Sequence, residues 1–144
     1  MNQVKSRSLN IVMLTTVRFH KAKGGTEKVM IDTANALSNR GHKVTIIFRD
    51  SDGSEPGFKI NEEVRIINCA GTKTPFWYTR ALCDLRSFRF SKESRYKQKA
   101  LLNLKTTACR YRKAIEETQA DVYITYDPKL TAMLVSEFGT TRPI

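Results

Sequence analysis

Long apolar runs are missing from this 144-residue chain. No stretch approaches the roughly 18–20 residues that span a bilayer, so no membrane-crossing helix is expected. Cysteine is sparse: Cys69, Cys83 and Cys109 are odd in number, far apart and without a CxxC pair. That argues against a disulfide scaffold or a structural zinc site and makes a reducing cytoplasm the expected compartment. Histidine is limited to His20 and His42, which leaves little material for a metal site, so no metal is expected. Acids are in short supply: 14 Asp and Glu face 25 Lys and Arg, a formal charge of +11. A polyanionic partner or an anionic surface fits that imbalance. A secretory leader is not expected either. Lys5 and Arg7 do precede the apolar stretch Leu9 to Val17, but Asn10, Thr15 and Thr16 interrupt it. Arg18-Phe19-His20-Lys21 then stands where small cleavage-site residues belong. No internal repeat or low-complexity tract is visible. What is present, 40% apolar and 27% charged residues, suits one soluble globular domain.

The apolar residues fall into short runs. Leu9 to Leu14 and Val44 to Phe48 are nearly continuous, as strands buried on both faces are. Between them Val29, Met30, Thr33, Ala34 and Leu37 recur at helical spacing, with Glu27, Lys28, Asp32, Ser38 and Asn39 off that face. Thr26 is the expected N-cap, and Gly41 the expected left-handed terminator. Residues 9–48 thus read as a strand–helix–strand unit, which implies a right-handed parallel crossover. A surface loop over Asp50 to Glu63 precedes a third strand, Val64 to Asn68. Helices are expected over Phe76 to Phe90 and Lys97 to Thr118, the second with Leu101, Leu104, Ala108, Tyr111 and Ile115 on one face. A fourth strand, Asp121 to Thr125, and a short helix ending at Gly139 follow. Pro143-Ile144 has the look of a fifth strand just begun, the pattern expected of a fragment. The expected fold is α/β, a Rossmann-like three-layer sandwich with a mostly parallel sheet.

Lys23-Gly24-Gly25-Thr26-Glu27 lies after a buried strand and opens a helix. Backbone N–H groups and the helix dipole converge at such a point, and glycines let an anion or a sugar approach closely. A plain flexible turn is the competing reading. Two sharper nucleotide motifs are absent. A dinucleotide fingerprint needs G-x-G-x-x-G in a tight turn, and a phosphate loop needs G-x-x-x-x-G-K-[ST]. Asp50, at the end of the second strand, could imitate a ribose-binding acid but is weak evidence alone.

Taken together, Ile11-Val12-Met13, Gly24-Gly25-Thr26-Glu27-Lys28-Val29 and Ala34 to Ile47 with its Gly41-His42-Lys43-Val44 closely resemble the N-terminal signature of the GT-B glycosyltransferases of family 4. Ala120 to Pro128 resembles that family's D-V-x-x-x-H-x-P segment, with Thr125 or Tyr126 where members often carry His. The resemblance covers most of the chain apart from its middle. It implies that residues 1–144 are the acceptor-side half of a retaining enzyme. Such an enzyme moves a sugar from a nucleotide sugar to a glycan or lipid-linked acceptor, as in envelope polysaccharide assembly. It needs no cofactor or essential metal. Gly24, Gly25 and Thr26 would lie beside the transferred sugar and donor diphosphate, and Tyr126 and Asp127 would join them in binding substrate. No catalytic residue is assigned, because the family's histidine and paired glutamates would fall beyond Ile144. The fragment alone is expected to be inactive. His42 is expected to be structural and His20 a solvated loop residue. A GT-B-like nucleotide-sugar epimerase and a stand-alone basic binding module remain as alternatives.

The excess charge is concentrated. Lys73 to Lys113 carries twelve Lys and Arg against Asp84 and Glu93, a net +10. Phe76, Trp77, Tyr78, Phe88 and Phe90 accompany it. Tyr78, Ala81, Leu82, Leu85 and Phe88 make an apolar stripe, with Arg80, Arg86 and Arg89 off it. Three readings stand open: a solvated face of packed helices, an interfacial segment on anionic lipid, or a nucleic-acid surface. The resemblance favours lipid over nucleic acid. Trp77, Arg80, Arg86, Arg89, Arg95, Lys97 and Lys99 are then the docking residues, and the protein is cytoplasmic and peripheral on the inner face of the plasma membrane.

Overall fold

The computed structural model describes residues 7–16, 24–50, 57–71, 73–88 and 90–139. Four strands, β1 (Asn10–Leu14), β2 (Lys43–Phe48), β3 (Arg65–Asn68) and β4 (Val122–Thr125), form one sheet in the order β3-β2-β1-β4. All three pairings are parallel. Four helices accompany them: α1 (Gly25–Asn39), α2 (Phe76–Ser87), α3 (Lys92–Thr118) and α4 (Pro128–Phe138). The chain is therefore α/β and consistent with a Rossmann-like fold. The begun fifth strand at Pro143-Ile144 lies outside the described residues.

Alternate side chains of a strand leave the sheet on opposite faces, and β1 shows it. Ile11 and Met13 join a cluster with Met30, Ile31 and Ala34 of α1 and Val44, Ile46 and Phe48 of β2. Val12 and Leu14 join a second cluster with Ala108, Tyr111, Ala114 and Ile115 of α3 and Leu130, Met133 and Leu134 of α4. Buried on both sides, β1 can only be apolar, which explains its nearly unbroken run.

α1 sits one notch away from its expected face. Ile31 is buried while Val29 is exposed, and Glu27 and Ser38 are buried rather than solvated. The cause is the stretch from residue 57 to 63, expected as a surface loop. Phe58 and Ile60 pack against the α1-side cluster. Asn35 accepts from the Asn61 N–H at 2.9 Å and donates to the Lys59 carbonyl at 3.1 Å. Ser38 donates to Glu63 at 3.2 Å. The strap covers one flank of α1, so that flank is dry. Composition hid it because two apolar anchors stand among polar residues.

α1 ends as expected. Gly41 has φ +85°. Its N–H donates to the Ser38 carbonyl and that of His42 to the Leu37 carbonyl, the paired bonds of a left-handed terminator. His42 Nδ1 accepts from the Leu9 N–H at 3.3 Å, so the side chain joins the entrances of β1 and β2.

The basic middle departs most from expectation. α2 stops at Ser87 rather than Phe90, and α3 starts at Lys92 rather than Lys97. Ser91 caps α3 by accepting from the Ser94 N–H at 3.2 Å. α2 buries no residue, and the buried positions of α3 begin only at Thr106. Tyr78, Ala81, Leu82 and Leu85 are half-buried in the hairpin, but Phe88 and Leu101, expected on apolar faces, are exposed. α2 and the first half of α3 thus form a helical hairpin that stands off the sheet.

The terminator gives a direct test. Gly41→Ala places a Cβ in a left-handed conformation and should cost about 1 kcal/mol. The urea midpoint should fall with an unchanged slope. An unchanged midpoint would show that Arg40 and Gly41 can re-form the helix end without a positive φ.

Candidate functional site at the carboxyl edge of the sheet

The strand order sets the place. From β1 the chain proceeds through β2 to β3 on one side and then returns to place β4 on the other side of β1. The direction reverses between β1 and β4, and open α/β sheets hold ligands in the crevice at the carboxyl ends of such strands. Thr15 and Thr16 leave β1 there, and Tyr126 and Asp127 leave β4.

Gly24 rather than Thr26 is the N-cap of α1, in extended conformation and with no side-chain oxygen to offer the first turn. Glu27 folds back over the cap, and a Cβ on Gly24 would collide with Glu27 Oε2. A Cβ on Gly25 would meet nothing within 4 Å. Thr26 is exposed in the first turn. The two glycines therefore differ: the Glu27 carboxylate lies against the first, and open space lies beside the second.

Asp127 caps α4. Its Oδ1 accepts from the Lys129 N–H at 2.8 Å, and its Oδ2 accepts from the Thr16 hydroxyl. That second bond crosses the β1/β4 reversal and fixes the two loops to each other. Tyr126 is half-buried against the α1-side cluster. Tyr126 and Asp127 border a shallow depression of about 720 Å³ with Thr125, Pro128, Thr131 and Val135. Sequence reasoning had no signal for Thr16. The Asp127-Pro128 pair, a cap followed by proline, was the legible sign for Asp127.

A second group of polar residues lies on the α3 side of the same edge. Tyr111 donates its buried hydroxyl to the Thr15 carbonyl at 3.0 Å and so ties α3 to the end of β1. Burial pushes the Tyr111 phenol above its ordinary value. Cys69 and Asp127 act the same way, and Arg49 and Arg110 oppose them. The Cys69 thiol is pushed up by burial, against the pull of Arg49. The Arg110 guanidinium is pulled below its ordinary value by burial first and then by the charge of Arg49. Arg110 Nη2 donates to the Thr74 hydroxyl. Arg110 belongs to the basic stretch, yet the fold turns it toward the sheet edge. Its only sequence signal was its place beside Tyr111 on the apolar face of α3.

The hairpin separates the docking candidates. Arg86, Arg95 and Lys99 border one groove of about 390 Å³ floored by Leu82 and Leu85. Trp77 stands nine residues before Arg86, hence about 180° around the helix. It lies on the other flank, 40% exposed. Arg80 is on the outer face, Lys97 is paired with Glu93 at 2.8 Å, and Arg95 donates from Nε to the Phe90 carbonyl at 3.2 Å. Arg89 lies outside the described residues. Among the described residues no helix is long and apolar enough to cross a membrane, and no three of His, Cys, Asp and Glu gather at one point.

Burial of Tyr111 makes a pH prediction. The unfolded chain ionises this phenol near pH 10, and the folded chain holds it protonated to higher pH. The folded state thus retains a proton that the unfolded state releases, and stability should fall as pH rises past about 10. In Tyr111→Phe, urea unfolding should show a loss of about 1 kcal/mol at pH 8 from the missing hydrogen bond and a shallower decline above pH 10. Parallel pH curves for the two proteins would contradict it. Compared with models of known protein families and with curated proteins, the chain matches none.

Proposed function

We propose that this chain is the acceptor-side domain of a retaining glycosyltransferase that transfers a sugar from a nucleotide sugar at an anionic membrane surface. The observation that carries the reading is the opening of α1. A glycine cap without a side chain, followed by a glycine whose outer side is empty, stands at the carboxyl end of β1, beside the strand-order reversal. With Glu27 already at this helix end, the exposed Gly24 and Gly25 would let a polar ligand such as a sugar come close to the backbone. The motif resemblance of residues 11–47 and 120–128 supports the same reading. Gly24, Gly25 and Thr26 would face the sugar and diphosphate, and Tyr126 and Asp127 would border the acceptor. The nucleotide-binding half and the catalytic groups belong to a second domain, since transition-state charge must be met from both sides of the cleft.

In the complete two-domain enzyme, Gly25→Val should lower turnover by about 10²-fold while leaving the urea midpoint nearly unchanged. The added methyls enter open space on the protein side and obstruct only the ligand. Residues 1–144 alone should transfer no sugar from any nucleotide sugar. Wild-type turnover in Gly25→Val would reduce the loop to a connector, and specific transfer by residues 1–144 would overturn the division of labour.

The peripheral location rests on the stand-off hairpin, where Arg86, Arg95 and Lys99 line an apolar-floored groove without a bordering acid. Each basic residue near an anionic surface contributes about 1 kcal/mol. Vesicle sedimentation should show binding that requires anionic lipid and weakens at 1 M salt, where the Debye length is about 3 Å. The Arg86→Glu/Arg95→Glu/Lys99→Glu triple variant should lose at least a hundredfold in partitioning, and Trp77→Ala less. Failure to bind either anionic or zwitterionic vesicles would leave the hairpin a solvated face. Tight, salt-sensitive binding to RNA instead would assign it to nucleic acid.

A further inference from the structure

One polar group in the structure is used by nothing described so far. Arg110 Nε is buried and has no hydrogen-bond partner, the sole such side-chain atom among the described residues. A buried donor left unpaired is costly, and more so on a charged group. Its guanidinium is already anchored at Nη2 by Thr74, in the segment that leads into α2. Arg49 follows β2 directly, at the same carboxyl edge, and is exposed. Its charge lies close enough to act on Arg110, Tyr111 and Cys69 alike.

Arg49, at the carboxyl end of β2, and Arg110, anchored to Thr74, thus bring two like charges to one edge of the sheet. Among the described residues, the ion pairs Lys28–Asp32, Lys97–Glu93, Arg112–Glu116, Arg112–Glu137 and Lys113–Glu117 involve neither arginine. Asp50, the next residue in the chain, is buried and engaged, and the Asp127 oxygens receive the Lys129 N–H and the Thr16 hydroxyl. A single guanidinium presents a fork of N–H donors that matches two phosphate oxygens, and a second one adds to the attraction for the anion. We propose that Arg49 and Arg110, steadied by Thr74, form a binding site for a phosphate or diphosphate group at the carboxyl edge of the sheet. That the group belongs to the acceptor rests on the proposed function. The Thr74 anchor places the site just before α2, the helix that opens the hairpin.

Inorganic pyrophosphate titrated calorimetrically into residues 1–144 at low salt tests the site without sugar transfer. Binding should be measurable and should weaken steeply with salt. Arg49→Gln, on an exposed residue that the core does not need, and Arg110→Gln should each weaken it at least tenfold. Lys43→Gln, exposed at the amino end of β2 on the opposite edge of the sheet, should leave it unchanged. Absence of binding would overturn the site, meaning that solvent satisfies the Arg110 donor. Binding weakened by Lys43→Gln but not by Arg49→Gln would overturn it as well. Competition identifies the source. Geranyl diphosphate should displace pyrophosphate and uridine diphosphate should not, whereas the reverse order would assign the group to the donor and overturn the acceptor assignment. The sugar-transfer reading is tested separately, by turnover of the two-domain enzyme. Transfer that is indifferent to Arg49→Gln would remove the pair and leave that reading intact.

Discussion

Everything in this structure follows from the position of β1. It is paired in parallel on both sides, from Ile11 to Leu14, against residues 44–47 of β2 and 122–125 of β4. A parallel strand cannot be followed by its neighbour through a tight turn. Each connection must therefore cross a face of the sheet, and helices are the usual way to do so without leaving backbone groups unpaired. α1 takes one face of β1 and α3 with α4 the other. Because all strands run the same way, every loop that can carry chemistry emerges at one edge. The Thr16–Asp127 bond and the Tyr111–Thr15 bond both fasten that edge. They tie the loop after β1 to β4 and α3, elements more than 90 residues away in the chain.

The sheet was legible in the sequence because its strands are short, apolar and bounded by turn residues. The α1 terminator was legible because only glycine adopts that φ readily. The failures have a common origin. Val29 and Ile31 exchanged places, and Ser38 became buried, because the partner that covers α1 is a strap of seven irregular residues with no period to read. Glu27, a charged side chain that periodicity places in solvent, is buried beside Gly24, and the helix begins earlier than a Thr26 cap would set it. At the candidate site, Gly24, Gly25 and Asp127 could be named from local patterns. Thr16, Arg49 and Arg110 could not, since their roles depend on which strand ends meet.

The charge distribution tells a related story. Arg110 and Arg86 lie in one basic stretch of the sequence, yet they serve different surfaces. The first turns toward a buried edge where a positive charge demands a partner. The second stays exposed in the groove of the hairpin. A run of like charge in a sequence thus says little until the helix that carries it is divided into anchored and unanchored parts.

That division has a consequence for how the molecule comes apart. α3 is one helix in geometry but two in stability. Residues 104–118 share the fate of the core, whereas residues 92–103, roughly 18 Å of helix, bury no side chain and lie beside α2, which has no buried residue of its own. Such a segment opens and closes as a unit at a fraction of the global unfolding free energy. Amide protection along α3 should accordingly step, rather than slope, near Leu104. The same boundary marks where substitution becomes inexpensive. Upstream of it the hairpin can change its charge and its aromatics, and thereby what it adheres to, without the sheet registering the difference.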